Sequence, residues 1–180
     1  MASDTDGANT NVDVVFSKLA IHDLSMAYCR AMDRCDENLL RSVCHPDSTF
    51  VSGVVDGPLD VFAPGIIAHL RSSLKSSFHA IANEWVEITG DRAKGESYVI
   101  GIISLGDGEN AAQFISGGRY LDQYERRAGT WKFLQRNYVP DFMVNCPSPI
   151  AGQPFGTAFG KGGRKPDDPI YAFWPQVAPT

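Results

Sequence analysis

The chain has 180 residues, of which 43% are hydrophobic and 21% charged, and its formal net charge is −5. This length and composition are typical of one globular domain with a sizeable core. The negative charge and the lack of any basic run argue against nucleic acid or an anionic membrane surface as a partner. Residues 1–11 lack the positive start and apolar stretch of a secretory signal.

The N-terminal half carries the periodicity of helices. Apolar residues recur at three- and four-residue steps from about Asp13 to Cys35, which predicts a first helix. Its predicted apolar face comprises Phe16, Leu19, Ala20, Leu24, Ala27, Tyr28 and Ala31. A short second helix is predicted from residue 36 or 37 to residue 43. Ser48–Ser52 is predicted to be a short strand, and Ala63–Ser77 a third helix with Pro64 in its first turn.

The second half carries the pattern of β-strands. Hairpin-type connections separate the four predicted strands, which are His79–Ile88, Arg92–Leu105, Ala111–Arg127 and Trp131–Val139. The pair Gly117-Gly118 predicts a bulge or bend where the sheet curls. Helices followed by a meander indicate an α+β fold, in which a curved, mixed or antiparallel sheet wraps around the N-terminal helices. Such a cone leaves a central pocket that suits a ligand.

Three segments are predicted along the chain. Residues 1–12 form a flexible N-terminus, residues 13–146 form the cone domain, and residues 147–180 form an extended C-terminal arm. The arm is rich in Gly and Pro but too aromatic for a disordered tail. We expect it to cover the pocket or a neighbouring subunit.

The cysteines and histidines do not form known ligand patterns. Cys29, Cys35, Cys44 and Cys146 are irregularly spaced, so free thiols and a cytoplasmic location are expected. The sequence contains neither H-x-H nor H-E-x-x-H, and its glycines lack the spacing of a phosphate-binding loop. No metal and no cofactor are therefore predicted.

An imidazole, His79, stands out at a predicted strand start, and a carboxylate, Asp33, near a predicted helix end. His79 can accept and return a proton near neutral pH, although a lone histidine is more often structural. Asp33 lies near the C-terminal end of the first helix, where a carboxylate opposes the helix dipole. Beside His79 it would orient the imidazole and stabilise the imidazolium. The alternative for Asp33 is a solvated surface residue next to Arg34.

Tyr28 and Arg136 complete the set of candidates on faces predicted to be buried. The Tyr28 phenol can donate a hydrogen bond to a leaving oxygen or a carbonyl, or it can be a core tyrosine. It precedes Asp33 by five positions, about 140° around an ideal helix, so the two would line a pocket from different sides. Arg136 is predicted to share a strand face with Leu134 and Tyr138. An inward guanidinium must pair with Asp33 or bind an anion, whereas an outward one is simply solvated.

The motifs that contain these residues resemble those of the SnoaL-like branch of the nuclear transport factor two-like superfamily, whose cystatin-like domains are α+β cones. Besides His79 and Arg136-Asn137, they are Ile21-His22-Asp23-Leu24, Tyr28-Cys29-Arg30-Ala31-Met32-Asp33-Arg34, His45-Pro46-Asp47, Gly118-Arg119-Tyr120, Tyr124-Glu125-Arg126-Arg127, Trp131-Lys132-Phe133 and Asp168-Pro169-Ile170-Tyr171. The resemblance extends from about Asp13 into the tail.

The resemblance implies a cofactor-free lyase, because the branch includes scytalone dehydratase, bile acid dehydratase and hexachlorocyclohexane dehydrochlorinase. In those enzymes an Asp–His pair removes a proton from carbon, and Asp33 and His79 occupy the matching places. Tyr28 resembles the tyrosine of the bile acid enzyme, whereas the dehydrochlorinase has a lysine there. Phe50 stands in place of a pocket tryptophan of the dehydrochlorinase, and Arg136 matches its pocket arginine. Both departures favour an oxygen leaving group over chloride.

The resulting hypothesis is a lyase acting on a hydrophobic, hydroxylated, aromatic or polycyclic small molecule, with loss of water or of a small aldehyde. His79 would be the base, Asp33 its orienting carboxylate, Tyr28 a donor to the leaving oxygen, and Arg136 a stabiliser of negative charge. The residues expected to bind substrate are Phe50, Tyr120, Tyr138 and Leu134.

Two other functions stay open at the level of sequence. One is an isomerase of the ketosteroid-isomerase type, and the other is a non-catalytic ligand-binding subunit or dioxygenase partner. A homo-oligomer is expected, with a trimer favoured and a dimer possible. The sequence names no specific substrate.

Overall fold

The helices come first in the chain and the long strands follow. A computed structural model describes residues 5–106, 112–147 and 162–173, with only the backbone described for residues 5–11 and 147. Its elements are α1 (Thr5–Arg34), α2 (Glu37–Ser42), β1 (Cys44–Val51), β2 (Gly57–Pro58), α3 (Leu59–Ser73), β3 (Ser76–Thr89), β4 (Arg92–Leu105), β5 (Ala112–Arg127), β6 (Thr130–Pro147) and α4 (Ile170–Phe173). The predicted connection at residues 107–110 lies outside the described residues.

The strands form one six-stranded sheet in the order β2-β1-β6-β5-β4-β3. β1 runs parallel to β6, and all other neighbouring strands are antiparallel. A strand from the helical half therefore joins the meander at β6. The predicted α+β fold with a curved, mixed sheet and N-terminal helices is confirmed.

The core lies between the helices and the inner face of the sheet. Its fully buried side chains include Ile21, Leu40, Phe50, Phe62, Tyr124 and Phe133. Burial of an Ile, Leu or Phe side chain stabilises a fold by about 1.5–3 kcal/mol relative to exposure. In the part of the chain that the structure describes, no helix is long and apolar enough to cross a bilayer.

The buried face of α1 is narrower than predicted. Ser17, Ile21, Ser25 and Tyr28 are buried at helical spacing, whereas Phe16 and Leu19 are 65% and 56% exposed. Phe16 precedes Ile21 by five residues, which places it about 140° away around the helix. The predicted face therefore spanned too wide an arc. Residues 5–12, assigned by sequence to a flexible N-terminus, are the first turns of α1.

The starts of three elements also differ from prediction. α3 begins at Leu59, after an extended Pro58, so Pro64 lies inside the helix rather than in its first turn. The earlier start adds Leu59 and Phe62 to the buried face. Ser76 and Ser77 belong to β3, because they pair with β4. β1 begins at Cys44, opposite Phe133 of β6, rather than at Ser48.

A bulge at Gly117-Gly118 is confirmed. Gly118 pairs with Pro140 and Gly117 with Phe142, which leaves Asp141 as an extra residue on β6. Proline is tolerated at bulges because the regular ladder hydrogen bond is interrupted there. β6 therefore continues through Pro140 to residue 147, beyond the predicted end at Val139.

A second bulge in β6 is absent from the prediction. Gln123 pairs with Gln135 but Tyr124 pairs with Phe133, so Leu134 is the extra residue. Successive side chains on a strand point to opposite faces, and one extra residue reverses which positions point inward. Phe133, before the bulge, and Arg136, after it, therefore both face the interior.

Residues 162–173 of the C-terminal arm lie against the ends of the helices. The Lys165 amide donates to the Arg34 carbonyl at 2.9 Å, and Arg164 Nη2 donates to the Leu74 carbonyl at 2.9 Å. Lys165 Nζ donates to both carboxylate oxygens of Asp36 at 2.9 Å. Residues 148–161 and 174–180 lie outside the described residues, so the predicted covering of a pocket or subunit stays a prediction.

The bulge at Gly118 allows a test of the sheet geometry. A Cβ at Gly118 would lie 2.6 Å from the Val139 carbonyl oxygen, which is backbone and cannot rotate away. We expect Gly118→Ala to lower the free energy of unfolding by about 1–3 kcal/mol through overpacking. Urea unfolding measures it. The matched control is Gly162→Ala, where the added Cβ meets only Asp168 Oδ2 at 3.9 Å. Equal stability of the two variants would contradict the bulge geometry.

Candidate active site

A cavity of about 230 Å³ lies between α1, α3 and the inner face of the sheet. Most of its wall is aliphatic or aromatic, including Met32, Phe50, Phe62, Ile66, Val99 and Tyr120. The polar side chains in the wall, apart from tyrosines, are Ser52, His69, Ser77, His79, Ser116 and Arg136. An apolar cavity with a few converging polar groups is the usual form of a small-molecule site.

Asp33 holds His79 by two hydrogen bonds. The His79 amide donates to Asp33 Oδ2 at 2.9 Å, and the distance between His79 Nδ1 and Asp33 Oδ1 is 2.6 Å. Both side chains are largely buried, with 15% of His79 and 11% of Asp33 exposed. A carboxylate only accepts hydrogen bonds, so Nδ1 carries the proton and Nε2 keeps its lone pair. This dyad explains a carboxylate at the end of α1 that the helix dipole does not favour.

The Nε2 atom of His79 lies beside a space that glycine leaves open. His79 pairs with Gly101 on β4, and Gly101 pairs with Ser116 on β5. A Cβ at Gly101 would lie 3.9 Å from His79 Nε2 and 2.9 Å from Ser116 Oγ. Because Gly101 has no side chain, a space remains beside Nε2 of His79, and the Ser116 hydroxyl lies on the other side of that space.

Tyr28 and Asp33 reach the site by different routes. Tyr28 is buried and lines the cavity directly, whereas Asp33 does not line it and acts on His79 from behind. Their separation around α1 is compatible with one site, because Asp33 contacts the imidazole of His79 and that imidazole lines the cavity. Burial raises the pKa of the Tyr28 phenol well above its usual range, against the opposing effect of the Arg136 charge. Tyr28 is therefore a neutral hydrogen-bond donor.

Arg136 pairs with Asp122 and not with Asp33. Its Nε and Nη2 atoms donate to the two carboxylate oxygens of Asp122, each at 2.8 Å, and the Tyr124 hydroxyl also donates to Asp122 at 2.8 Å. The side chains of Arg136 and Asp122 are 2% and 0% exposed. Burial alone lowers the pKa of the guanidinium, but the charge and hydrogen bonds of Asp122 outweigh it, so the pKa is raised. Arg136 stays charged.

The same guanidinium is enclosed by aromatic rings, and one of its three nitrogen atoms has no hydrogen-bond partner among the described residues. Its carbon Cζ lies 4.2 Å from the ring centre of Tyr28, 4.0 Å from that of Tyr120 and 4.2 Å from that of Phe133. Its Nη1 atom has no hydrogen-bond partner among the described residues. Because Arg136 lines the cavity, a ligand oxygen or anion is the natural acceptor for this donor.

Three of the four residues expected to bind substrate line the cavity. Phe50 stacks on Phe62 at a centroid distance of 4.2 Å, and Tyr120 packs against Tyr138 at 5.7 Å. Leu134 is the exception and does not line it. As the extra residue of a bulge, it does not share the face of Arg136 and Tyr138, so its predicted placement is wrong.

The sequence did not point to Asp122, Ser116 or His69 as parts of the site. A signal for Asp122 existed, because it alternates with Tyr120 and Tyr124, which predicts one shared face. In a regular ladder without a bulge, counting from the turn at Gly129 would place Gln135 opposite Asp122. The bulge at Leu134 shifts the pairing by one residue, so Arg136 lies there instead. Ser116 and His69 lie on apolar-patterned segments without any distinguishing spacing.

The thiols do not contribute ionisable groups to the site. All four cysteines are free, as predicted. Burial raises the pKa of Cys29 and of Cys44 to about 12, with the Arg136 charge opposing the shift. Both therefore stay protonated at neutral pH. Within the described ranges, no group of three or more His, Cys, Asp or Glu side chains is placed to hold a metal ion.

The comparison with protein families decides the assignment of the chain. The model of the SnoaL-like domain matches residues 14–137. This range includes Asp33 and His79 as well as Arg136 and its partner Asp122. The chain belongs to the SnoaL-like domain family. Its similarity to a protein with a cystatin-like fold from Nostoc punctiforme, at a TM-score of 0.57 and 20% identity over 69% of this chain and 90% of that one, agrees with the fold.

One curated protein and one further solved structure are similar to this chain. The γ-hexachlorocyclohexane dehydrochlorinase of Sphingobium indicum is 26% identical over 151 residues, or 79% of this SnoaL-like chain and 90% of the relative. The crystal structure of a candidate scytalone dehydratase from Novosphingobium aromaticivorans matches with a TM-score of 0.65 and 18% identity, covering 83% of this chain and 99% of the other.

The Arg136–Asp122 pair supports a prediction on the stability of this SnoaL-like domain. Asp122→Asn leaves a buried guanidinium without a counter-charge, and we expect it to lower the free energy of unfolding by about 3–5 kcal/mol. Urea unfolding gives the value. Asp141→Asn is the matched control, because Asp141 pairs with the partly exposed Arg119 and should matter far less. Equal losses in both variants would refute a special role for the buried pair.

Proposed function

We propose that this SnoaL-like protein is a cofactor-independent lyase acting on a hydrophobic, hydroxylated aromatic compound. The observation that carries the proposal is the Asp33–His79 dyad, whose Nδ1–Oδ1 distance of 2.6 Å directs Nε2 towards an apolar cavity. A base in this setting can remove a proton from a bound compound without help from a metal or organic cofactor. A purely structural histidine would not need an open space above its second nitrogen.

Both proposed reactions begin at His79 Nε2. In a dehydration, Nε2 takes a proton from carbon, the electron pair of that bond forms a double bond, and the neighbouring C–O bond breaks. The departing hydroxide takes a proton and leaves as water. In a retro-aldol cleavage, Nε2 takes the hydroxyl proton, the C–C bond breaks, and a small aldehyde leaves. The remaining carbanion then takes the proton back.

Asp33 would make the proton transfer to His79 favourable. When Nε2 takes a proton, the imidazole becomes a cation, and the carboxylate against Nδ1 stabilises that charge. The second bond, from the His79 amide to Asp33 Oδ2, fixes the carboxylate in place at 2.9 Å. Reorientation during the reaction is therefore small.

Arg136 and Tyr28 would stabilise negative charge on oxygen at the inner end of the cavity. The Asp122 pair holds the guanidinium of Arg136 in place, and its Nη1 atom has no partner among the described residues, so its charge would stabilise a developing oxyanion without rearrangement of the ion pair. Tyr28, held neutral by burial, adds a hydroxyl donor to the same end. A substrate with a carbonyl, phenol or ether oxygen would place that atom here.

The size of the cavity narrows the substrate class. Its volume is about 230 Å³, whereas an apolar cavity of about 150 Å³ accommodates benzene. We therefore propose a compound with one or two aromatic rings, part of which extends through the mouth, rather than a fully enclosed polycyclic one. The relatives support a lyase, since one is described as a dehydrochlorinase and another as a candidate dehydratase.

An isomerase is the second candidate, because the same dyad can remove a proton and return it to another carbon. The mass of the product separates the two, since an isomerase leaves it unchanged. A partner subunit of a dioxygenase would instead co-purify with a larger, metal-containing chain.

The proposed base can be tested directly. A panel of hydroxylated one- and two-ring aromatic compounds is incubated with the protein, and products are identified by mass spectrometry. We expect His79→Ala to lower the rate at least about 100-fold, the usual scale of general base catalysis. Asp33→Asn should lower it as well, because an amide stabilises the imidazolium far less than a carboxylate.

The control for this test is His22→Ala. His22 also contacts a carboxylate, Glu84, at 2.9 Å, but it is exposed on α1 and does not line the cavity. This variant should keep wild-type turnover. Full activity of His79→Ala would contradict the proposed mechanism.

We also propose that the protein is a homo-oligomer, with a trimer favoured, that associates through the outer face of the sheet. Across β3, β4, β5 and β6, one row of register partners is Phe78, Ile102, Ile115 and Val144. The next row places Phe142 over Gly117, beside Ile100. Arg119 on this face is already neutralised by Asp141 and Glu96. A wide apolar face of this kind favours association.

The mass in solution tests the assembly. Light scattering should give three chain masses for the wild type, and Phe142→Asp should give a monomer, because a charge there would be buried unpaired. Val61→Asp is the control, since Val61 is equally exposed, at 54%, but lies on α3. A monomeric wild type would overturn the proposal.

A further inference from the structure

A second histidine, His69, lines the same cavity as His79. It lies on α3 and is half-buried, whereas His79 lies on β3. Its neighbours in the wall on α3 are the apolar Ile66 and Leu70. The imidazole brings a polar group into this otherwise apolar part of the cavity wall.

The ring of His69 has one nitrogen free for a ligand. Its Nδ1 atom lies 3.4 Å from the hydroxyl oxygen of Ser73, one helical turn further on. Among the described residues, Nε2 has no hydrogen-bond partner. An imidazole nitrogen placed in this way can donate a proton to a ligand in the cavity.

The proposed reaction requires such a proton. A hydroxide or alkoxide is a poor leaving group unless it is protonated as its bond breaks. Tyr28 is suited to donating a hydrogen bond but not to giving up its proton, because burial raises its pKa well above the usual range. Arg136 also keeps its proton, being paired with Asp122. His79 is engaged as the base.

We propose that His69 is the general acid that protonates the leaving oxygen while His79 acts as the base. The inference rests on the proposed lyase function. During dehydration, His79 takes the carbon-bound proton and becomes a cation while His69 gives its proton to the departing oxygen and becomes neutral. Water leaves, a double bond has formed, and the total charge of the two histidines is unchanged. Proton exchange with solvent through the mouth then restores both.

A pair of synthetic probes reports on this acid without the natural substrate. The two-ring compound 1,2-benzisoxazole loses its ring proton to a base, its N–O bond breaks, and a cyanophenolate forms. Its 5-nitro derivative forms a stabilised phenolate that leaves readily without an acid. We expect His69→Gln to lower kcat/KM for the unsubstituted probe about 10- to 100-fold, and for the nitro probe by no more than about threefold.

The ratio of the two probe rates is the readout that a purely structural role would not move. The other titratable or charged groups that line the cavity are Tyr28, Tyr120, Tyr138 and Arg136. His69→Gln leaves them all in place, so a change in the ratio reports on His69 itself.

Matched variants separate the possible outcomes. His22→Gln makes the same change at an exposed site and should leave both rates unchanged. His69→Asn is a second replacement with the same expected ratio, for use if His69→Gln does not fold. If the wild type is no faster than His79→Ala on the nitro probe, the proposed function itself fails. If it is faster, but His69→Gln alters both probes equally or neither, only the role of His69 is overturned.

Discussion

The buried ion pair between Arg136 and Asp122 is the interaction on which the interior depends. Removing two charges from water costs several kcal/mol per ion, so a register that separated them would be strongly disfavoured. The pair joins β5 to β6 directly, with two bonds of 2.8 Å at the middle of the sheet. The same register turns Tyr120 and Tyr138 towards the helices. The pair therefore shapes the cavity wall as well as holding two strands together.

Two separate groups of polar residues act on the cavity, one around Arg136 and the other the Asp33–His79 dyad. The guanidinium of Arg136 is buried among aromatic rings and held by Asp122, so its charge is fixed in place. The Asp33–His79 dyad lies at the side wall, where Nε2 faces an open space. A fixed charge and a titratable base placed apart can act on different atoms of one ligand. The apolar wall between them excludes water and strengthens both effects.

Much of this arrangement follows from sequence, and the failures have one physical source. Helix and strand order come from periodicity, and the pairing of Asp33 with His79 follows from the resemblance to the SnoaL-like branch. The Gly117-Gly118 bulge is visible because glycine marks it. The bulge at Leu134 has no such marker, so the partner of Arg136 and the placement of Leu134 were both missed. The exposed Phe16 shows the same limit on α1, where burial depends on which arc the sheet covers.

The bond from the His79 amide to Asp33 has a consequence for the edge of the sheet. β3 is the last strand, with no neighbour on its outer side among the described residues. Free amides on such a strand can recruit a strand from another molecule and start aggregation. Asp33 occupies the amide of His79 at 2.9 Å and so blocks strand addition there. A change at Asp33 would therefore expose this amide on the edge strand, apart from any effect on the histidine ring.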